Sequence, residues 1–463
     1  MICRLLLLNK LASSSILMTW ASLIARMGMT IIVLPYVVVR FNAEEISVWL
    51  FILIINRLRD IFDFGYLDNI SREVSYSKGQ RLTSGLKLVI DFSNFIYARS
   101  SMLCFIFLLL SITAGFYFKG YFEYFDCFDS VFIILVVVVS NSIYVYGNKY
   151  IAILFGLDYI SMIRFWDTLF TLMNIGTILL GIIVFPSLIT IITINSAWVV
   201  IAVVRNRYMA RKVIFYECPN KEPLNEVNAF NADKIKKNAN RDFFSSLLTS
   251  GYAQGFNYFI SIFLPLSFSN TYLLLDNIVE QIKNLSRVPF YVNRPKMAAQ
   301  YKKTGFLDII LIRKYIMFST LTLCLSLFLF SIFAPYVLDL IDSKVEFDST
   351  IWLVICTYAM IERLGAMHNQ IYVIMNNKVI AHKYLPITVL ISTVILSFFL
   401  YFNISPSFYV LAFSLSYLFT FYVPISQLNI REFSVKRLYF EAYNYILCIV
   451  SVLLLIFGVF YVN

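Results

Sequence analysis

Only two histidines, His368 and His382, occur in 463 residues, so the chain lacks the ligands for a histidine-based metal site or a catalytic triad, and both read as structural. The seven cysteines show no CxxC spacing and lie mostly within apolar runs, where a thiol behaves as a small hydrophobe; neither a disulfide framework nor a metal cluster is expected. Charge is scarce as well. Charged residues make up 14% of the chain, against about 25% in an ordinary soluble domain. That deficit, with 60% hydrophobic residues and a mean hydropathy of +0.77, excludes a water-soluble fold.

What fills the chain is apolar runs near spanning length, such as Val131 to Val139 and Leu321 to Phe333. They are apolar all round, whereas the strands of a membrane barrel alternate apolar with polar residues, so the expected architecture is α-helical. Arg4 ahead of Leu5 to Leu8 suggests a secretory signal, but Lys10 interrupts the run and no small-residue cleavage site follows; this stretch reads as a cytoplasmic lead-in helix.

Hydropathy predicts helices at 16–39, 45–67, 94–118, 130–154, 161–184, 186–204, 244–268, 271–292, 313–339, 350–376, 383–402, 407–428 and 441–461. The net charge of +11 then reads as topology. With the N-terminus inside, the short cytoplasmic connections hold most of the Lys and Arg, and the periplasmic loops hold Arg40, Lys119 and Lys344. Those loops are otherwise acidic, with Glu123, Asp126 and Asp129 in one and Asp342, Glu346 and Asp348 in another. The basic surplus thus indicates contact with membrane lipids and no nucleic-acid partner.

The hydrophilic stretch Arg205 to Arg241 divides the chain. The expected organisation is an all-α polytopic membrane protein of two six-helix lobes, a twelve-helix core around a central polar cavity, with an extra C-terminal helix. An N-lobe at 1–204 is followed by a cytoplasmic inter-lobe loop at 205–243, a C-lobe at 244–428 and the extra helix within 429–463. A weak internal repeat supports two lobes: Asn69-Ile-Ser-Arg-Glu-Val-Ser-Tyr-Ser-Lys-Gly matches, loosely, the run from Asn293 to Gly305. Two such lobes would share one orientation about the membrane normal.

Several charges fall inside predicted spans. Asp276, Glu280, Lys283 and Arg287 follow the spacing i, i+4, i+7, i+11 and so share one face of the eighth helix. Facing lipid, each would cost about 2.5–3.5 kcal/mol near mid-membrane, so the face must meet protein or water. The first helix carries Ser15, Thr19, Ser22 and Arg26 on one stripe, with Arg26 about halfway along the span. Arg57, Asp60 and Asp63 lie in the second helix, Asp167 in the fifth, Glu362 and Arg363 in the tenth, and Gln254 and Asn257 on an uncharged stripe of the seventh. Arg99, Lys149 and Arg164 lie near helix ends, where snorkelling to the interface accounts for them.

Two readings of these groups stand side by side. In one they are salt bridges that hold helices together, for instance Glu280 with Lys283 or Arg287. In the other they line a polar cavity, with Arg26, Arg57, Lys283, Arg287 and Arg363 as cations for an anionic guest and a diphosphate as the natural match to a forked guanidinium.

Three stretches carry a family likeness: Arg40-Phe-Asn-Ala-Glu-Glu-Ile-Ser-Val-Trp, Phe62-Asp-Phe-Gly-Tyr-Leu-Asp-Asn-Ile-Ser-Arg-Glu-Val-Ser-Tyr, and Pro289-Phe-Tyr-Val-Asn-Arg-Pro-Lys-Met-Ala-Ala-Gln-Tyr. Through them the chain resembles the O-antigen flippases and related polysaccharide transporters (Wzx type) of the multidrug/oligosaccharidyl-lipid/polysaccharide exporter superfamily. The resemblance implies a V-shaped pair of lobes, alternating access, and a cargo of oligosaccharide repeat units on undecaprenyl diphosphate. It also implies a bacterial inner-membrane location, contact with polysaccharide polymerase machinery, and no cofactor beyond a proton or sodium gradient. Arg26 sits where lipid II flippase relatives carry a functional arginine. Asp60, Asp63, Asp167, Asp276, Glu280 and Glu362 become candidates for ion coupling. A peptidoglycan-precursor flippase, a cation or drug antiporter and a membrane oligosaccharide polymerase are the alternatives; the polymerase suffers from the lack of a sizeable periplasmic loop.

Overall fold

The computed structural model describes residues 15–28, 32–79, 83–217, 232–304, 308–340, 347–376, 381–433 and 437–462. The lead-in at Arg4 to Lys10, most of the hydrophilic stretch before Ala232, and Asp342, Lys344 and Glu346 lie outside these residues. Among the described residues there are helices and no strands, as the uniform hydropathy of the runs requires.

The first unit, ending at Phe263, contains α1 (Ser15–Gly28), α2 (Leu34–Arg40), α3 (Ala43–Leu58), α4 (Tyr66–Gly79), α5 (Thr83–Phe118), the short α6 (Tyr121–Tyr124), α7 (Cys127–Gly156), α8 (Ile160–Val184), α9 (Leu188–Glu217) and α10 (Ala232–Phe263). The predicted first span is two helices. Pro35 sits in the first turn of α2, the one place in a helix where its missing N–H costs nothing. At the start of α3 the side chain of Asn42 caps the helix and Glu45 reaches back to the Asn42 N–H at 3.0 Å, a capping box. The Arg40-Phe-Asn-Ala-Glu-Glu motif is thus a helix start.

The second motif is a helix break. After α3 the chain tightens into a 3₁₀ turn, Arg59–Asp63, and reverses through two left-handed residues, Phe64 (φ 52°) and Gly65 (φ 70°). Asp63 holds this reversal: its Oδ2 accepts from the N–H of Leu67, at the start of α4, at 3.0 Å, and its Oδ1 accepts from the Tyr97 hydroxyl at 2.8 Å.

α4 packs on α7 at a glycine. A Cβ on Gly156 would lie 2.5 Å from Val74 Cβ and 2.6 Å from the Ser71 carbonyl oxygen. Gly147 plays the same part where α7 meets α9, with Val203 filling its space. Around them lies a core of Ile70, Val74, Val89, Tyr97, Ile153 and Ala210.

The second unit, from Leu264, contains α11 (Leu266–Thr304), α12 (Ile309–Leu340), α13 (Ser349–Asn376), α14 (Ala381–Tyr401), α15 (Ser407–Tyr417), a π-helical turn at Leu418–Tyr422, α16 (Val423–Phe433) and α17 (Arg437–Val462). Asp308 and Asp348 accept backbone N–H bonds at the starts of α12 and α13. The core is built from Phe290, Ile316, Leu364, Met367, Ile371 and Tyr422. α17 packs along α12 and α13, so the extra C-terminal helix is an integral part of this unit.

The division by contacts falls one helix later than the 205–243 loop suggested. α10, expected as the first helix of the C-lobe, packs on α3 and α4, and the Tyr258 hydroxyl donates to the Ser111 carbonyl of α5 at 2.7 Å.

Among the described residues, eight helical stretches are long and apolar enough to cross a membrane: Leu86–Phe118, Cys127–Gly156, Ile160–Val184, Leu188–Ile214, Ile309–Phe333, Ser349–Tyr372, Lys383–Tyr401 and Ser407–Phe433. The predicted first, second, seventh, eighth and thirteenth spans fall outside that set, the last because its apolar stretch, Glu441–Phe457, is shorter. The first two are broken after 14 and 16 residues, and the eighth is crossed by its own charges. Met102, Leu110, Leu180, Ile183, Leu390 and Val394 lie outward and exposed on the spans, a surface that hydrocarbon would cover and water would not. The chain is a multi-pass membrane protein.

Candidate functional site

The charged face of α11 is real, and its partners come from α13. Lys283 Nζ lies 2.5 Å from Glu280 Oε2 one turn away and 2.5 Å from Glu362 Oε2 on α13. Arg287 adds a second cation, its Nη2 at 3.7 Å from Glu280 Oε1 and 3.6 Å from Glu362 Oε1, while its Nη1 donates to Asn284 at 3.1 Å. Two carboxylates therefore hold two cations in one four-membered network. Asp276, a turn before Glu280 and buried, lies within electrostatic reach of Lys283.

Exposure separates these cations. The Lys283 side chain is 4% exposed and enclosed by its two glutamates, whereas Arg287 is 39% exposed. Arg363, next to Glu362 in sequence, points about 100° away around the helix. It is buried and donates to Ser319 Oγ through Nη2 at 2.9 Å, and Ser319 in turn donates to the Ser286 carbonyl. Of the three cations expected to meet an anionic guest in this unit, Lys283 and Arg363 are committed to protein partners, because burial of a cation requires a paired acceptor. Arg287 alone keeps an open side.

In the first unit, α1 turns Ser22 and Ala25 inward and packs against α8, leaving Arg26 exposed. Among the described residues Arg26 makes no ion pair or hydrogen bond, yet it is close enough to Asp60 to act on it electrostatically. Asp60 is itself exposed and lies 3.8 Å from Arg59 Nε. Arg59, which sequence periodicity did not single out, stacks on the Tyr144 ring at 3.7 Å and donates to Asn141 Oδ1 at 2.8 Å; Asn141 donates onward to Asn56 at 2.9 Å. Arg57 is half-buried on α3.

Asp167 sits in a second network of this unit. Its Oδ1 accepts from Arg205 Nη2 at 2.6 Å and its Oδ2 lies 3.7 Å from Arg164 Nη1. Arg205, assigned by sequence to the loop, lies within α9, which continues to Glu217. Asp63 is engaged in the α4 cap. Asn257 is buried on α10, and Gln254 is half-buried there with its Oε1 facing protein. Lys149 does not snorkel: it is buried, with Nζ 2.8 Å from Asn94 Oδ1 and 3.4 Å from the Tyr146 ring centroid. Arg99 is exposed above the Phe95 ring, but α5 begins at Thr83 rather than at 94, so the residue lies near the middle of the helix and not at its end.

No family model and no curated protein matches the sequence. Solved structures do. An inward-facing multidrug resistance MATE family transporter of the MOP superfamily aligns over 88% of this chain and 95% of its own, with a TM-score of 0.61 at 13% identity. The chain shares its fold with the MATE transporters. An outward-facing transporter of the same kind aligns over 96% of this chain and 95% of its own (TM-score 0.55, 13% identity). A MOP superfamily transporter from Pyrococcus furiosus, described by the reverse polarity of its binding pocket and a suggested different function, aligns over 91% and 96% (TM-score 0.52, 12% identity). At such identities the MATE likeness speaks for the fold alone.

Proposed function

We propose that this chain translocates undecaprenyl-diphosphate-linked oligosaccharide repeat units from the cytoplasmic to the periplasmic leaflet of the bacterial inner membrane by alternating access, with its N-terminus in the cytoplasm. The observation that carries the reading is Arg26: an exposed guanidinium in an apolar helix, without an ion pair among the described residues. Arg26 lies in the last turn of α1, at the break in the expected first span rather than halfway along it, and an exposed guanidinium there supports an anionic guest. A forked guanidinium matches two phosphate oxygens at once. Arg287, with an open side, is the corresponding cation of the second unit.

The fold supports the mode of action, since related architectures occur in inward-facing and outward-facing forms. The Pyrococcus furiosus neighbour supports the use of this fold with pockets of differing polarity. Asp60, Asp276 and Glu280 serve in this reading as groups that couple movement to a proton or sodium gradient, and the polysaccharide polymerase machinery is the natural recipient of the cargo.

Arg26→Ala and Arg287→Ala should each abolish export of the surface glycan at normal protein level and membrane insertion. Wild-type export by both variants would overturn the diphosphate assignment. One observation favours a second reading, an antiporter of organic cations: the Lys283 ammonium held between Glu280 and Glu362 shows that this pair of carboxylates accommodates a cation. Efflux of cationic dyes with no glycan phenotype on deletion would select it.

A further inference from the structure

Glu441, on α17, and His368, on α13, lie outside every candidate site named so far. Each side chain is 1% exposed, and Glu441 Oε1 stands 3.0 Å from His368 Nε2. Glu441 Oε2 accepts from the Tyr422 hydroxyl at 2.8 Å and from the Tyr445 hydroxyl, and the two hydroxyls lie 3.1 Å apart. Three separate elements, α13, the π-helical turn and α17, therefore meet on one buried carboxyl group.

The histidine has a defined tautomer. Asn429 Nδ2 donates to the His368 carbonyl oxygen at 2.7 Å and reaches His368 Nδ1 at 3.1 Å. An amide turned the other way would set its oxygen against that carbonyl oxygen. Nδ1 is accordingly the acceptor, and the ring proton sits on Nε2, facing Glu441. A further proton cannot be placed on Nδ1 while Asn429 donates to it, which leaves the carboxyl group as its seat.

The tyrosines suit both states of that seat. A hydroxyl donates to a carboxylate and, after rotating about its C–O bond, accepts from a carboxylic acid. Through these two hydroxyls the Oε2 atom of Glu441 stays hydrogen-bonded whether the group is ionised or protonated, an outcome that a shell of fixed backbone donors would forbid.

Among the residues whose side chains are described, the other ionisable groups near this point are the following. From α12, Tyr315 packs on the same core and Arg313 lies over the Tyr443 ring at 5.4 Å. From α16, Arg431 and Glu432 are exposed. On α13 itself, Glu362 and Arg363 are engaged with Lys283 and Ser319, and α17 adds Cys448, a free thiol within hydrogen-bonding reach of the Cys324 thiol of α12.

We propose that Glu441 and His368, with Tyr422 and Tyr445, form a proton-binding site of the second unit in which Glu441 carries the proton. The site shares α13 with Glu362, six residues or about 9 Å along the helix from His368. Proton binding here stands independently of the cargo; its use to drive movement rests on the transport reading above.

Infrared difference spectroscopy of the full chain in lipid vesicles, between about pH 4 and about pH 9, tests the binding directly, since that window spans ordinary and strongly shifted carboxyl groups. A protonated-carboxyl band should appear on acidification and be lost in Glu441→Gln. Tyr445→Phe, a milder change that retains the carboxyl group, should move the band to higher wavenumber, because a carbonyl relieved of a hydrogen bond is stiffer. A band unchanged by Glu441→Gln overturns the site. Should that variant fail to insert, an unmoved band in Tyr445→Phe overturns it equally. Loss of the band in Glu441→Gln, with gradient dependence of cargo movement unaltered, would keep the proton site and remove its link to transport.

Discussion

Glu362→Gln breaks the tightest ionic arrangement in the second unit. In the wild type Lys283, 4% exposed, touches two carboxylates at 2.5 Å each. The glutamine keeps shape and volume but leaves Lys283 and Arg287 to share Glu280, so two cations face one anion. Breaking a buried pair costs about 3–5 kcal/mol, and because Glu280 remains within contact we expect the lower end, about 3 kcal/mol. For a unit of this size each kcal/mol lowers the melting temperature by roughly 2–4 °C, which places the single variant about 6–12 °C below wild type. Lys283→Met alone leaves two carboxylates against Arg287 and should cost a similar amount. The double variant restores one anion to one cation, so it should lose less than the sum of the two by about 2 kcal/mol or more. Thermal unfolding of all four proteins in lipid nanodiscs measures the cycle. Additivity within about 0.5 kcal/mol would show that the network is not a coupled unit and refute the reasoning.

Other predictions rest on single sites. Gly156→Ala should destabilise the first unit by about 1–3 kcal/mol, since the new methyl meets the Ser71 carbonyl oxygen and Val74 at distances that require backbone movement; a lowered melting temperature checks it. Asp63→Ala should cost about 1–2 kcal/mol through loss of the α4 cap and the Tyr97 partner, and Asp63→Asn, which retains an acceptor at the cap, should recover part of it. Asp276→Asn should alter the dependence of transport on the proton or sodium gradient, and unchanged dependence in vesicles would remove it from a coupling role. Arg26→Lys should retain some export where Arg26→Ala retains none, because a lysine keeps the charge but not the fork.

Much of the architecture was legible because hydrophobic runs and helix periodicity are local properties. Asp276, Glu280, Lys283 and Arg287 were placed on one face by spacing alone, and the spacing held. Their partner was not legible: Glu362 is 79 residues away, and nothing local distinguishes it from Arg363, whose side chain leaves the helix in another direction. The same limit hid the site at Glu441. Its histidine read as structural, and its glutamate opens the C-terminal helix that the sequence presented as an appendage. Lys149 illustrates a different failure. Its position near a helix end suggested snorkelling, but two tyrosines and Asn94 from neighbouring turns and an adjacent helix offered a closer solution. Glu45 and Gly65, by contrast, sit in the motifs that carried the family likeness, and each turns out to perform a nameable backbone task.

The central claim is movement of a diphosphate-linked glycan between leaflets, and reconstitution tests it most directly. Vesicles loaded in one leaflet with undecaprenyl-diphosphate oligosaccharide should show lectin-accessible sugar appearing in the opposite leaflet when the wild-type chain is present, and none with Arg26→Ala. Sugar that stays in its original leaflet under an imposed gradient of either proton or sodium, with the wild-type chain folded and inserted, would contradict the account.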